Sequence, residues 1–340
     1  MRGSTIAGIG RYVPDRVMTN HDLEQLVDTT DEWVVTRTGI RERRIAADDQ
    51  ASSDLGYEAA VEAMADAGIE AKDLDLIIVG TATPDMLFPA TACVLQERLG
   101  AKQAGAFDLS AACSSWVYGV AVAHGYIASG LAETVLVVGA ETLSKITNWK
   151  DRATSVLFGD SVGAVVMRPC EPGQGFLSFH LGADGAGGAL IALPAGGSRI
   201  PASYESVERN LHYLQMNGRE VYKFAVRCIP KAIMEAVQRA DLSVEDVDWF
   251  IPHQANIRII DAAAERLGQP REKFFVNVDR YGNTSSASVP VALYEAVKAG
   301  HIKVGDLTVL VAFGGGLTWG SCALRWTGTA RGTTSSPDAG

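Results

Sequence analysis

The chain has no C-x-x-C pair, and its five cysteines stand far apart at positions 93, 113, 170, 228 and 322. An odd number at such spacing fits neither a disulfide framework nor a zinc site. No metal is expected, and reduced thiols in a cytoplasmic protein are the simplest reading. Basic charge is also short: 30 Lys and Arg stand against 40 Asp and Glu, a formal net charge of -10. That balance argues against a nucleic-acid binder, although a local basic patch can still serve an anionic ligand. No G-x-G-x-x-G or P-loop lies between a strand and a helix, so a nucleotide-phosphate cradle has no support. The first residues carry no secretory pattern, since the apolar run Ile6–Ile9 is soon broken by Arg11, Pro14 and Arg16.

One stretch, Leu109 to Ala132, lacks Asp, Glu, Lys and Arg over 24 residues. That is long enough to span a bilayer. It is built of Ala, Gly and Ser with His124 inside, however, and a helix that is small and apolar all round suits a buried layer of a large core. No membrane span is expected. The 340 residues, 47% hydrophobic, are ample for such a core.

The chain resembles itself. Ala67–Asp75 and Ala240–Asp248 share a pattern in which an amphipathic helix ends, a charged turn follows and an apolar strand begins. Phe107–Leu109 leads to Cys113 much as Val276–Val278 leads to Gly282-Asn283, and Thr134–Gly139 matches Thr308–Phe313. Three pairs in one order at nearly equal offsets indicate a duplicated α/β unit. Each half should hold a mostly parallel sheet covered on both faces. Sharing the small-residue helices 114–130 and 284–299, the halves would stack as a layered αβαβα sandwich. The expected halves are 1–171, with the nucleophile, and 172–328, with the His and Asn. Residues 329–340, the end of a Gly/Ser/Thr-rich tail from Thr327, are expected to be disordered.

Cys113 falls between a strand and the start of the buried helix. There the unpaired N–H groups and the helix dipole favour a thiolate nucleophile; the plainer reading, a small buried hydrophobe, is accepted for the other four cysteines. His253, in Ile251-Pro-His-Gln-Ala-Asn256, follows a strand end, where open α/β sheets place ligands. Asn283 begins the equivalent helix of the second half. An Asn there is ordinarily an N-cap, but the repeat sets it at the counterpart of the cysteine site. Gly159-Asp-Ser-Val-Gly163 matches the G-x-S-x-G elbow of hydrolases, yet lacks its strand–turn–helix setting and reads as a turn between strands.

Seven motifs in order bring a family into view: Trp33-Val-Val-Thr-Arg-Thr-Gly-Ile-Arg-Glu-Arg-Arg44, Asp108-Leu-Ser-Ala-Ala-Cys113, Asp151-Arg-Ala-Thr154, Phe158-Gly-Asp160, Pro252-His-Gln-Ala-Asn256, Tyr281-Gly-Asn-Thr-Ser285 and Phe313-Gly-Gly-Gly316. Over residues 3–326 the chain closely resembles the β-ketoacyl-[acyl-carrier-protein] synthase III family of the thiolase superfamily. The resemblance implies a thiolase-like fold, a Cys113–His253–Asn283 triad, and condensation of an acyl-CoA primer, expected to be acetyl-CoA, with malonyl-acyl-carrier protein. No cofactor is implied, because the CoA thioester is a substrate.

By the same resemblance, backbone N–H groups of Cys113 and Gly315 form the oxyanion hole. Thr29, Trp33, Arg37, Arg152 and Asn256 hold CoA. Lys223, Arg258, Arg266 and Lys273 face the carrier protein. Phe88, Leu143 and Leu157 line the acyl pocket, with Met86, Leu190 and Met216 as further candidates. Phe88 would cross into the neighbouring subunit of a homodimer. The family often has Gly-Asp-Gly-Ala-Gly where this chain has Gly159–Gly163, a departure outside the triad. The alternatives are an acyltransferase of the same fold that does not condense, a condensing enzyme of a specialised pathway with a non-acetyl primer, a non-catalytic CoA binder, and a hydrolase acting through Ser161.

Overall fold

A computed structural model describes residues 2–330. Two sheets dominate it. In the first, the strands run in the order Gly3–Tyr12, Asp160–Cys170, Val135–Thr142, Leu76–Gly80 and Gly105–Leu109. The second repeats this order with Gly175–Ala183, Thr318–Arg325, Leu307–Gly314 and Trp249–Pro252. The strands are apolar on both faces, as strands covered on both sides must be. Ile78, Val137, Leu310 and Cys322 face a shared core formed with the helices Ser115–Ser129 and Ser288–Lys298. Ile77, Val79 and Leu136 face the outer helices Ser52–Ala67 and Thr91–Leu99, and Val309, Val311 and Phe313 face Gly218–Arg239 and Ile257–Leu267. The layers are therefore αβαβα, as the repeat and the resemblance lead one to expect. Among the described residues, no helix is long and apolar enough to cross a membrane.

The register shows the duplication: Leu76 pairs with Val135 in one half, and Trp249 with Thr308, 173 positions on, in the other. Several expectations need correction. The sheets are mixed rather than mostly parallel, because Leu307–Gly314 and Thr318–Arg325 are joined by a three-residue turn and must run antiparallel. No strand forms at Val276–Val278. Phe274 makes a single bridge to Phe250, and Val278–Tyr281 is a helical turn. Ser161 lies not in a turn but at the start of the strand Asp160–Cys170, fully buried, with its hydroxyl unpartnered. Nor is the tail free from Thr327: Thr327 Oγ1 is 2.6 Å from Thr5 Oγ1, Thr329 is buried, and the Ala330 N–H donates to the Ala7 carbonyl. The rest of the expected disordered tail, 331–340, lies outside the described residues.

A row of glycines crosses the first sheet where the two central helices begin. Gly80, Gly139 and Gly163 are neighbours on three paired strands. A Cβ on Gly80 would stand 2.8 Å from the Ser115 backbone, one on Gly139 2.6 Å from the Ser286 carbonyl oxygen, and one on Gly163 2.7 Å from Pro290. Only hydrogen fits, so both helix starts sit directly on the sheet.

Candidate active site

Both helix starts are preceded by a tight turn with an unusual residue. Ala112 and Ser285, again 173 positions apart, hold φ of 49° and 48°, a left-handed conformation uncommon outside glycine. The counterpart of Cys113 is therefore Ser286, and Asn283 lies three residues before it, a correction to the simple repeat. The cysteine turn is fixed from three sides. The Ala111 N–H donates to Ser115 Oγ at 2.7 Å, and Thr318 Oγ1 donates to the Ala111 carbonyl at 2.8 Å. Gly314 passes so close that a Cβ there would stand 2.6 Å from the Cys113 nitrogen.

Cys113, His253 and Asn283 line one cavity of about 350 Å³, together with Gly315, Leu143, Leu157 and Met216. Phe313, Ile191 and Val221 make most of its remaining wall apolar. Cys113 keeps some surface toward this cavity, but the protein packed around it desolvates the sulfur. Burial pushes the thiol up to about 12, a hydrogen bond with the Ser285 hydroxyl opposes this, and the nearby Glu141 carboxyl adds to it. Desolvation thus works against the thiolate that the position at a helix start favours.

His253 is held by its own N–H on the Val311 carbonyl at 2.8 Å and by Phe313, edge-on at 5.3 Å between ring centroids. Its Nδ1 is 2.5 Å from Ser288 Oγ. Burial lowers its pKa to about 3, so the imidazole is neutral at pH 7. Asn283 is pinned through its backbone: its N–H donates to the Leu157 carbonyl at 2.8 Å, and its carbonyl accepts from Gly159 at 3.1 Å. The Ser285 N–H donates to Asn283 Oδ1 at 2.9 Å. A backbone N–H can only donate, so this bond fixes the amide with its nitrogen turned away as a free donor.

At the cavity mouth, Trp33, Arg37 and Asn256 are part of the lining. The guanidinium groups of Arg37 and Arg152 lie 4.8 and 5.1 Å from the centre of the Trp33 ring, a cation–π arrangement. Asn256 caps the helix Ile257–Leu267 through the Arg258 N–H and donates to the Arg37 carbonyl at 3.0 Å. Thr29 lies outside the lining, with a buried hydroxyl that has no partner. Arg258 lies over Tyr222, itself a mouth residue, at 5.5 Å, and Lys223 pairs with Glu220 at 2.7 Å. Arg266 and Lys273 donate to the Val226 and Val247 carbonyls. Phe88, Met86 and Leu190 do not line the cavity; Phe88 is 83% exposed, Met86 borders a separate groove, and Leu190 packs on the second outer core.

Sequence reasoning gave no role to Ser285 or Phe313, although both stand in its motifs, and missed Ser288 and Glu141. Glu141 is wholly buried where the halves meet, accepting from the Ala82 N–H and Thr83 Oγ1 of the first half and the Ser286 N–H of the second. Burial raises its pKa. Its place in the apolar strand Val135–Thr142 was the one available signal, since a carboxylate in such a run must be paired inside.

Two family models match the chain: 3-oxoacyl-[acyl-carrier-protein] synthase III over residues 107–185, and its C-terminal part over 237–326. The β-ketoacyl-[acyl-carrier-protein] synthase III of Symbiobacterium thermophilum is 59% identical over 94% of this chain and 97% of its own length. That of Desulfitobacterium hafniense is 56% identical over the same shares. The solved synthase III of Thermus thermophilus is 51% identical with a TM-score of 0.88, covering 96% of this chain and all of its own. With sequence, fold and both halves in agreement over nearly the whole length, this chain belongs to the β-ketoacyl-[acyl-carrier-protein] synthase III family.

Proposed function

We propose that the chain works as the family's condensing enzyme, an acyltransferase that joins an acyl-CoA primer to malonyl-acyl-carrier protein in fatty-acid synthesis. The observation that carries this reading is the meeting of Cys113, His253 and the fixed amide of Asn283 on one apolar cavity. Cys113 sulfur bonds to the primer carbonyl, the CoA carbon–sulfur bond breaks, and the thiol proton leaves with CoA. N–H groups of Cys113 and Gly315 receive the oxyanion. Malonyl-carrier then loses CO2, and its electron pair becomes an enolate. His253 and Asn283 donate to the enolate oxygen; an amide has no basic site, so Asn283 acts only as a donor. The enolate carbon attacks the acyl carbonyl, the carbon–sulfur bond to Cys113 breaks, and Cys113 takes up a proton. The products are 3-oxoacyl-carrier, CO2 and free CoA; no metal or cofactor enters. Intact mass after incubation with acetyl-CoA tests this: wild type gains an acetyl group, and Cys113→Ala gains none. Acetylation of the variant would refute the assignment.

Trp33, Arg37, Arg152, Thr29 and Asn256 would receive CoA. Leu143 and Leu157, with Phe88 from a second copy, would bound the acyl chain. Homodimer formation is supported by exposed Leu87 and Phe88 and by the edge position of Gly105–Leu109 in its sheet. Light scattering should give twice the chain mass, falling toward one chain in Phe88→Asp; a wild-type monomer would overturn it. Reduced thiols support a cytoplasmic setting. The priming β-ketosynthase of the R1128 polyketide pathway is 36% identical, against 59% for the Symbiobacterium thermophilum synthase III, and the fatty-acid role is the reading favoured.

A further inference from the structure

His253 has two ring nitrogens and, being neutral, one proton between them. Which nitrogen carries it is set by the partner of the other. Among the described residues, the one side chain hydrogen-bonded to the ring is Ser288, the buried first residue of the helix Ser288–Lys298, at 2.5 Å from Nδ1. A hydroxyl can donate or accept, so this contact alone leaves both tautomers open.

A second contact decides between them. The backbone N–H of Gln254 points at the same Ser288 oxygen at 3.4 Å, and a backbone N–H can only donate. Its direction is held because the Gln254 side chain donates to the Pro252 and Phe275 carbonyls and accepts from the Asn277 N–H. The acceptor side of Ser288 is therefore engaged, and among the described residues its hydroxyl engages no acceptor other than Nδ1. Were Nδ1 protonated, two donors would converge on Ser288 Oγ and its own proton would be left unpaired in the interior, which is disfavoured.

We propose that Ser288 is a positioning residue that donates to Nδ1 and so holds His253 in the Nε2–H tautomer. This rests on the condensing reading above and supplies what that reading requires: a proton, rather than a lone pair, facing the enolate oxygen from His253. The Ser285 N–H does the same for Asn283 by claiming its oxygen. Both donors are thus set by groups of the four-residue segment 285–288 at one helix start.

The test is nitrogen-15 NMR on histidine-labelled protein, read without turnover. The wild type should show His253 Nδ1 in the unprotonated, pyridine-like range and Nε2 in the protonated range; a protonated Nδ1 overturns the proposal. In Ser288→Ala the single tautomer should give way to a mixture or to its Nδ1–H form. Malonyl-carrier decarboxylation should fall by roughly 10- to 100-fold, the range seen when the hydrogen-bond partner that orients a metal-bound histidine is lost, with Cys113 acylation within about twofold of wild type. A variant that keeps a pure Nε2–H imidazole, or loses both half-reactions equally with that tautomer intact, refutes the role. If the wild type failed to decarboxylate malonyl-carrier, the condensing reading would fall, whereas the tautomer would still be measured.

Discussion

Gly139→Ala inserts one methyl between the first sheet and the helix start that carries Asn283. The new Cβ would stand 2.6 Å from the Ser286 carbonyl oxygen and 3.2 Å from Trp116 Cβ, where ordinary contact begins at 3.4 Å. Ser286 must therefore retreat by about 0.8 Å, and it is poorly placed to do so. Its hydroxyl donates to the Gly80 carbonyl at 2.8 Å and its N–H to buried Glu141 at 3.3 Å. Overpacking of this kind costs about 1–3 kcal/mol of stability. Ser285, whose N–H orients the Asn283 amide, is the adjoining residue, and misplacement near 1 Å in a catalytic group lowers rate by up to about 100-fold. Urea unfolding and the two half-reactions, assayed separately, provide the check. The expected variant is folded but destabilised, with malonyl decarboxylation reduced far more than Cys113 acylation. A wild-type unfolding midpoint with wild-type turnover would show that the close approach does not constrain the turn. Equal loss of both half-reactions would place the damage at Cys113.

Further outcomes follow from the charges. Burial holds His253 near 3, below the 6.5 of a free imidazole, so the unfolded chain binds that proton first as pH falls. Its contribution to stability is full above about 6.5 and is lost toward 3, at up to about 1.4 kcal/mol per pH unit. His253→Asn should therefore show a flatter urea midpoint between pH 6.5 and 4 than wild type; identical slopes would contradict a neutral buried imidazole. Arg258→Glu reverses a charge beside the cavity mouth and should raise KM for the carrier protein by roughly fivefold, about 1 kcal/mol. Cys113 acylation by acetyl-CoA should stay within twofold, and an unchanged KM would remove Arg258 from the docking surface.

Much of this was legible in the sequence because the repeat is carried by apolar strands, whose pattern survives when side chains change. The layered fold follows from three matched segments, and Cys113 and His253 follow from strand ends. The resemblance gave the rest of the site. What was not legible depends on what packs against what. The run Val276–Val278 reads as a strand, but Asn277 turns to bond Glu295, and the sheet edge is reached only by Phe274 and Phe275 just before it. The desolvation that raises the Cys113 thiol comes from a cavity wall drawn from both halves, which position along the chain cannot show. Ser288 is 35 residues from His253, and nothing in its neighbourhood marks it until the fold joins the two. The segment 327–330 is Gly/Thr-rich and looks free, yet it finds an open place beside the strand Gly3–Tyr12.

The shared central layer has a consequence for how such a chain can exist at all. Each half contributes one sheet face and one helix to a core that neither encloses alone. A protein made of a single half would have to cover that face with a second copy of itself, and its stability would then vary with concentration. Joining the halves in one polypeptide turns that association into an internal contact at a high and constant effective concentration. The meeting of Cys113, His253 and Asn283, drawn from both halves, is thereby assembled within each folded chain.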